Sequence, residues 1–216
     1  MPRTRVKICG ITRVEDAATV VSAGADAIGL NFYPGSPRFI TAEVAKAIIE
    51  VVPAMVTVVG LFVNADADEV RRLCAELELD VLQFHGDEDN AFCDSFGRSW
   101  MKAIRVADST DVKAEIGRFP GASALLLDAY RRGVPGGTGE VFDWDKVPAG
   151  TGRPLVLAGG LNSGNVALAI DTVKPFAVDV SGGVESEPGI KDAAQVAEFV
   201  EAVQGADWRR LADENV

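Results

Sequence analysis

The sequence predicts a single-domain (β/α)8 barrel. Eight short apolar runs that read as strands alternate with amphipathic segments along the 216 residues, at intervals of roughly 20–30 residues. No Gly-rich dinucleotide fingerprint follows the first run, and no linker divides the chain. The alternative, a doubly wound open sheet, shares the alternation but not the count of eight.

The strands are expected at 5–9, 26–31, 56–62, 80–84, 100–106, 124–128, 154–158 and 177–180. Along the first, Val6 and Ile8 alternate with Lys7 and Cys9. If the aliphatic pair faces the helices, Cys9 points into the barrel mouth. In the fourth, Leu82 and Phe84 suit the helix layer and leave Gln83 and His85 inward. The sixth and eighth carry a carboxylate at the end of an apolar run, Asp128 and Asp179. In the fifth, parity leaves open whether Lys102 or Arg105 faces in. Between the strands, residues 66–77 place Val70, Leu73, Cys74 and Leu77 at helical spacing, with Glu69, Arg71 and Arg72 elsewhere. Residues 41–52, 163–171 and 191–203 read similarly, and 110–117 more weakly. The barrel is expected to span 1–205, with 206–216 a short charged tail.

A net charge of -11 argues against a nucleic-acid or acidic-membrane binder, though not against a small anionic substrate met by local donors. Three cysteines, an odd number with no CxxC, imply no disulfide framework and suit a reducing compartment. Neither a signal-peptide core nor an apolar run of about 18 residues is present. The expectation is a soluble, cytoplasmic protein, a monomer or a homodimer.

In a barrel of this kind, chemistry sits at the C-terminal strand ends. Each candidate alone has a plain structural reading: a buried cysteine is usually an inert small hydrophobe, and an Asp after a strand is often a helix cap. Cys9, His85, Asp128 and Asp179, converging from four strand ends, together point to an active site. Gly159-Gly160 follow the seventh strand and Ser181-Gly182-Gly183 the eighth. That pair of loops often holds a phosphate in barrels, because glycine lets backbone N–H groups approach it closely. Gly136, Gly137, Thr138 and Gly139 lie soon after Asp128 and read as a mobile cover, not a Walker loop. Arg38 stands on the stiff turn P-G-S-P-R. No spacing suits a metal.

These residues lie in longer motifs: K-I-C-G-I-T (7–12), S-P-R-F-I (36–40), Q-F-H-G (83–86), L-L-D-A-Y (126–130) with G-G-T-G (136–139), L-A-G-G-L (157–161), and D-V-S-G-G-V-E with P-G-I-K-D (179–192). Their order and spacing resemble the phosphoribosylanthranilate isomerase family from end to end. The resemblance implies an aldose–ketose isomerase of tryptophan biosynthesis with a (β/α)8 fold, performing an Amadori rearrangement on a phosphorylated small molecule without a cofactor. It implies Cys9 as general base, Asp128 as general acid, Arg38 on the anthranilate carboxylate, and phosphate at the two glycine loops. Lys7, Gln83, His85 and Asp179 are further expected around the substrate. Relatives commonly carry two serines before the glycine of the eighth loop, where this chain has Ser181-Gly182-Gly183; phosphate contacts there would shift to the backbone. A histidine-pathway isomerase would carry an aspartate in place of Cys9, other phosphate-binding barrels of tryptophan synthesis rely on different acids and lysines, and a binding-only barrel would not need Cys9 and Asp128.

The chemistry sets a problem of protonation. An unperturbed thiol near ~8.5 is mostly protonated at neutral pH, and an unperturbed Asp near ~3.9 is ionised. Lys7, one pleat below Cys9, is expected to favour the thiolate, or else to pair with Asp179 or stabilise the substrate. Asp179 is expected to help keep Asp128 protonated.

Overall fold

The computed structural model describes residues 3–107, 109–129, 142–148 and 150–213. Eight parallel strands close on themselves in chain order, the first pairing with the last. They are β1 (Arg5–Cys9), β2 (Ala27–Asn31), β3 (Thr57–Phe62), β4 (Val81–Phe84), β5 (Ser99–Val106), β6 (Ala124–Ala129), β7 (Leu155–Leu157) and β8 (Ala177–Val180). The helices are α1 (Val14–Ser22), α2 (Ala42–Ile49), α3 (Ala67–Glu76), α4 (Asn90–Asp94), α5 (Val112–Gly117), α6 (Val166–Val173) and α7 (Ala193–Asp213). The connection from β6 to β7 contributes, among the described residues, only a 3-10 turn, Trp144–Lys146. The expected glycine-rich cover at 136–139 lies outside the described residues.

Each expected strand is present, with ends moved by a residue or two. Helix starts move inward where a polar side chain caps the first turn. Thr41 accepts from the Val44 amide, Asp66 from Asp68 and Asp111 from Ala114, so these residues precede their helices. Two differences are larger. Residue 191 does not begin a helix. Glu185–Glu187 (β9) and Ile190–Lys191 (β10) form a small antiparallel hairpin, and α7 starts after it. At the other end, α7 runs on to Asp213, so the expected boundary at 205/206 falls inside a helix. Val196, Phe199, Val200, Val203 and Ala206 form one buried stripe, and the Asp207 carboxylate accepts from the Thr4 backbone amide and hydroxyl.

The main core lies between sheet and helices and takes the outward strand residues, Val6 and Ile8 of β1 and Leu82 and Phe84 of β4 among them. A smaller core fills the barrel with Val59, Met101, Ala103, Leu126, Val156, Ala158 and Ala177. This plug is small and apolar, which leaves polar side chains to the layers above it. Phe84 holds the orientation of β4: fully buried, it packs against Phe62, Phe92, Phe96 and Trp100, which turns its neighbours Gln83 and His85 inward. Phe84→Ala is expected to cost about 3–5 kcal/mol in a urea titration. An unchanged midpoint would remove Phe84 from that role.

Candidate active site

A cavity of about 270 Å³ opens at the C-terminal ends of the strands. Cys9, Arg38, Gln83, His85, Asp128 and Asp179 line it, together with Gly159, Gly160, Ser181, Gly182 and Gly183. All of the described residues expected at the site border this one space, except Lys7. Asn31, from the end of β2, also lines it, and nothing in the sequence singles it out.

Lys7 lies one layer below the mouth, buried, with its ammonium 2.7 Å from Asp179 Oδ1. β1 and β8 place Lys7 directly opposite Asp179, so the pair follows from sheet register. Gly29 of β2 stands opposite Cys9, and a side chain there would come within 2.7 Å of Cys9 Sγ and 3.1 Å of Lys7 Nζ. The missing Cβ makes room for the thiol and the ammonium together. Of the expectations for Lys7, the structure shows the pair with Asp179, and Lys7 does not border the cavity itself.

The electrostatics follow. Burial pushes the Cys9 thiol up; Lys7 pulls it down but does not outweigh burial, and the Asp179 charge pushes the same way as burial. Burial works against the charge on Lys7, yet Asp179 and Cys9 outweigh it and hold the ammonium above its usual range. Burial likewise raises Asp179, with Lys7 opposing and Asp128 adding to the rise. Lys7 thus favours the Cys9 thiolate in the expected direction, but burial outweighs it and the thiol stays above its usual range. Cys93, buried in the helix layer and pushed up to about 12 by burial, fits the inert reading.

Asp128, at the end of β6, meets the His85 imidazole, Nε2 to Oδ2 at 3.1 Å. Lys102 of β5 turns outward, donating to the Phe84 and Gly86 carbonyls and pairing with Glu88 at 3.0 Å. Arg105 reaches across to the His85 carbonyl.

Arg38 enters from the β2–α2 loop and is held in a bidentate pair by Glu185, Nε to Oε1 at 2.8 Å and Nη2 to Oε2 at 2.6 Å. Lys191 binds the same carboxylate at 2.6 Å and donates to the Cys9 carbonyl at 2.7 Å. Burial works against the Glu185 charge, but Arg38 and Lys191 outweigh it and hold the carboxyl below its usual range. Glu185 and Lys191 were missed from the sequence. The signal was a charged residue ending each of two otherwise apolar or glycine-rich runs, G-G-V-E and P-G-I-K.

The two glycine loops meet beside Arg38: a side chain on Gly183 would run into the Leu161 carbonyl, and Ser181 and Arg38 both border Gly10. Gly159 has φ +84°, and a side chain there would collide with the Ala129 backbone amide. Gly182–Val184 form a 3-10 turn, whose first N–H groups have no partner within it. The Ser181 hydroxyl is turned away, donating to the Cys9 carbonyl at 2.9 Å. This loop therefore offers backbone donors to the cavity.

A family model described as N-(5'-phosphoribosyl)anthranilate (PRA) isomerase matches residues 6–202. The chain belongs to this family. The N-(5'-phosphoribosyl)anthranilate isomerase of Azotobacter vinelandii is 56% identical over 206 residues, covering 95% of this chain and 100% of the relative. That of Pseudomonas paraeruginosa is 55% identical over 204 residues, covering 94% and 97%. The crystal structure of the phosphoribosyl anthranilate isomerase from Thermotoga maritima superposes with a TM-score of 0.86 at 40% identity, covering 94% of this chain and 99% of that one. A crystal structure of phosphoribosyl anthranilate isomerase in complex with reduced 1-(o-carboxyphenylamino)-1-deoxyribulose 5-phosphate superposes with a TM-score of 0.80 at 38% identity and the same coverage. Among the described residues, no helix is long and apolar enough to cross a membrane.

Proposed function

We propose that this chain catalyses the Amadori rearrangement of N-(5-phosphoribosyl)anthranilate to 1-(2-carboxyphenylamino)-1-deoxyribulose 5-phosphate, with Cys9 as base and Asp128 as acid. The observation that carries this is the shared cavity: a thiol, a carboxyl, an arginine and two glycine loops border one space at the strand ends. β1 and β6 are three strands apart round the barrel, which suits two groups flanking a sugar. Family membership supports the same substrate.

Asp128 protonates the ribose ring oxygen, the C1–O bond breaks, and the anthranilate nitrogen lone pair forms a cationic Schiff base. Cys9 then takes the C2 proton, and the C–H electrons form the enolamine and neutralise that cation. Loss of the C2 hydroxyl proton with protonation of C1 gives the ketone. Cys9 is needed only once the cation exists. A positive charge above a buried thiol favours its thiolate, so ring opening supplies the activation that Lys7 alone does not complete. The Gly159–Gly160 and Gly182–Gly183 backbones hold the phosphate.

Glu185 occupies the Nε–Nη2 edge of Arg38 and leaves the Nη1 side for the substrate carboxylate. Arg38→Met is expected to raise KM about 10–100-fold, the worth of a charged hydrogen-bonded pair, with kcat little changed. Lys191 still neutralises Glu185 in that variant. An unchanged KM would take Arg38 out of the carboxylate site.

The test is turnover of freshly made phosphoribosylanthranilate by the purified protein, followed by loss of anthranilate fluorescence. Saturable loss is the expected result. Binding of phosphate esters without turnover would indicate a binding-only barrel. Turnover confined to the histidine-pathway aminoimidazole substrate would reassign the reaction.

A further inference from the structure

Gln83 of β4 and His85, which follows the strand directly, form with Asp128 a buried chain of contacts. Gln83 Nε2 lies 3.1 Å from His85 Nδ1, and His85 Nε2 lies 3.1 Å from Asp128 Oδ2. An amide N–H only donates, so in this arrangement Nδ1 accepts and the ring proton sits on Nε2, donating to Asp128. The other end of the amide, Gln83 Oε1, is buried without a hydrogen-bond partner. Turning the amide through half a revolution brings Oε1 to Nδ1, where it would accept from a doubly protonated ring. One side chain thus serves either protonation state of His85, as donor to the imidazole or acceptor from the imidazolium.

We propose that His85, oriented by Gln83, stores the proton that Asp128 delivers; this rests on the acid role given to Asp128 above. In the loaded state, the His85 Nδ1–H is held by Gln83 Oε1 and Nε2–H points at Asp128. The Nε2–H bond breaks, its electron pair stays on the ring, and Asp128 Oδ2 takes the proton and passes it to the ribose oxygen. The proton released by the C2 hydroxyl as the ketone forms reloads the pair, so no proton is gained or lost over the cycle. Gln83 and His85 are positioning residues in this scheme, acting on substrate through Asp128.

The charges around the ring come from several strands. Asp128 of β6 faces Nε2, and Asp179 of β8 couples to the ring across the mouth. Arg105 of β5 holds the His85 carbonyl, and Lys102 with Glu88 lies on the outward side of β4. From β3 and the residue that follows it, only the uncharged Leu61 and Val63 border the cavity. A charge placed at residue 83 would therefore act on Nδ1 with no competing group at that nitrogen.

His85 is the chain's single histidine, so nitrogen spectra of 15N-histidine-labelled protein report one ring. The expected wild-type neutral ring carries its proton on Nε2. Gln83→Glu, close in shape, keeps a proton on Nδ1. It raises the pH at which the ring titrates by about 1–3 pH units, and the alkaline limb of the kcat profile moves with it at constant KM. Gln83→Met loses the tautomer preference and about tenfold or more in kcat, within the range of an acid–base step. In the free enzyme, without substrate, a wild-type neutral ring protonated on Nδ1 would overturn the orienting role of Gln83. In an active enzyme, a limb that stays put in Gln83→Glu while the ring titration moves would overturn the proton store. A wild-type protein without turnover would sink the functional reading and the store with it, while the ring spectrum would still decide the orientation. If Gln83→Met fails to fold, Gln83→Glu alone decides the matter.

Discussion

Cys9→Ala is expected to lower kcat by about 10²–10⁴-fold, the usual worth of a general base held at its proton. The thiol is buried in the barrel mouth, borders the cavity and belongs to neither apolar core. Loss of activity should therefore come without loss of the folded barrel, as circular dichroism would show. The pH dependence carries a second signature. The base works only as thiolate, so the rate falls as pH drops below the thiol's titration. Burial holds that titration above the usual range, and Lys7 opposes it. Lys7→Met removes the opposing charge, so the alkaline rise in rate moves to higher pH. For every pH step by which the rise moves up, the thiolate fraction at neutral pH falls about tenfold. A rise left in place by Lys7→Met would show that Lys7 acts only through Asp179.

Asp128→Asn is expected to cost a similar ~10²–10⁴ in kcat, because an amide has the shape of the acid but no proton to give to the ring oxygen. The contact with His85 survives in this variant, since the amide oxygen can accept from Nε2–H as the carboxylate does. KM should therefore stay close to that of the parent. A variant that keeps near-parental kcat would place the acid elsewhere, and Asp179, raised by burial and facing the same cavity, is the next group to replace.

The barrel was legible in the sequence because period and count are local quantities. Alternation in R-V-K-I-C and V-L-Q-F-H predicts which side chains face inward, and the structure follows it at Lys7, Cys9, Gln83 and His85. Pairing between inward side chains depends on register, which no single strand carries. That Lys7 meets Asp179 is set by the stagger of β1 against β8. That Glu185 holds both Arg38 and Lys191 depends on a hairpin of a few residues, in a stretch whose end resembles the start of a helix. The direction in which Cys9 titrates is a contest between burial and one neighbouring charge, and it turns on a distance. The end of α7 is hidden for a different reason: Ala206 and Asp207 face inward, but exposed Trp208 and Leu211 stand among the charged residues there and break the helical pattern.

The central claim is that Cys9 removes the proton at C2 after Asp128 has opened the ring. It is tested most directly by single-turnover kinetics on phosphoribosylanthranilate carrying deuterium at C2. The account predicts a primary isotope effect on the chemical step and no catalysed loss of the label in Cys9→Ala. Catalysed loss of the label at the parental rate in Cys9→Ala would contradict it and move the base to another residue of the mouth.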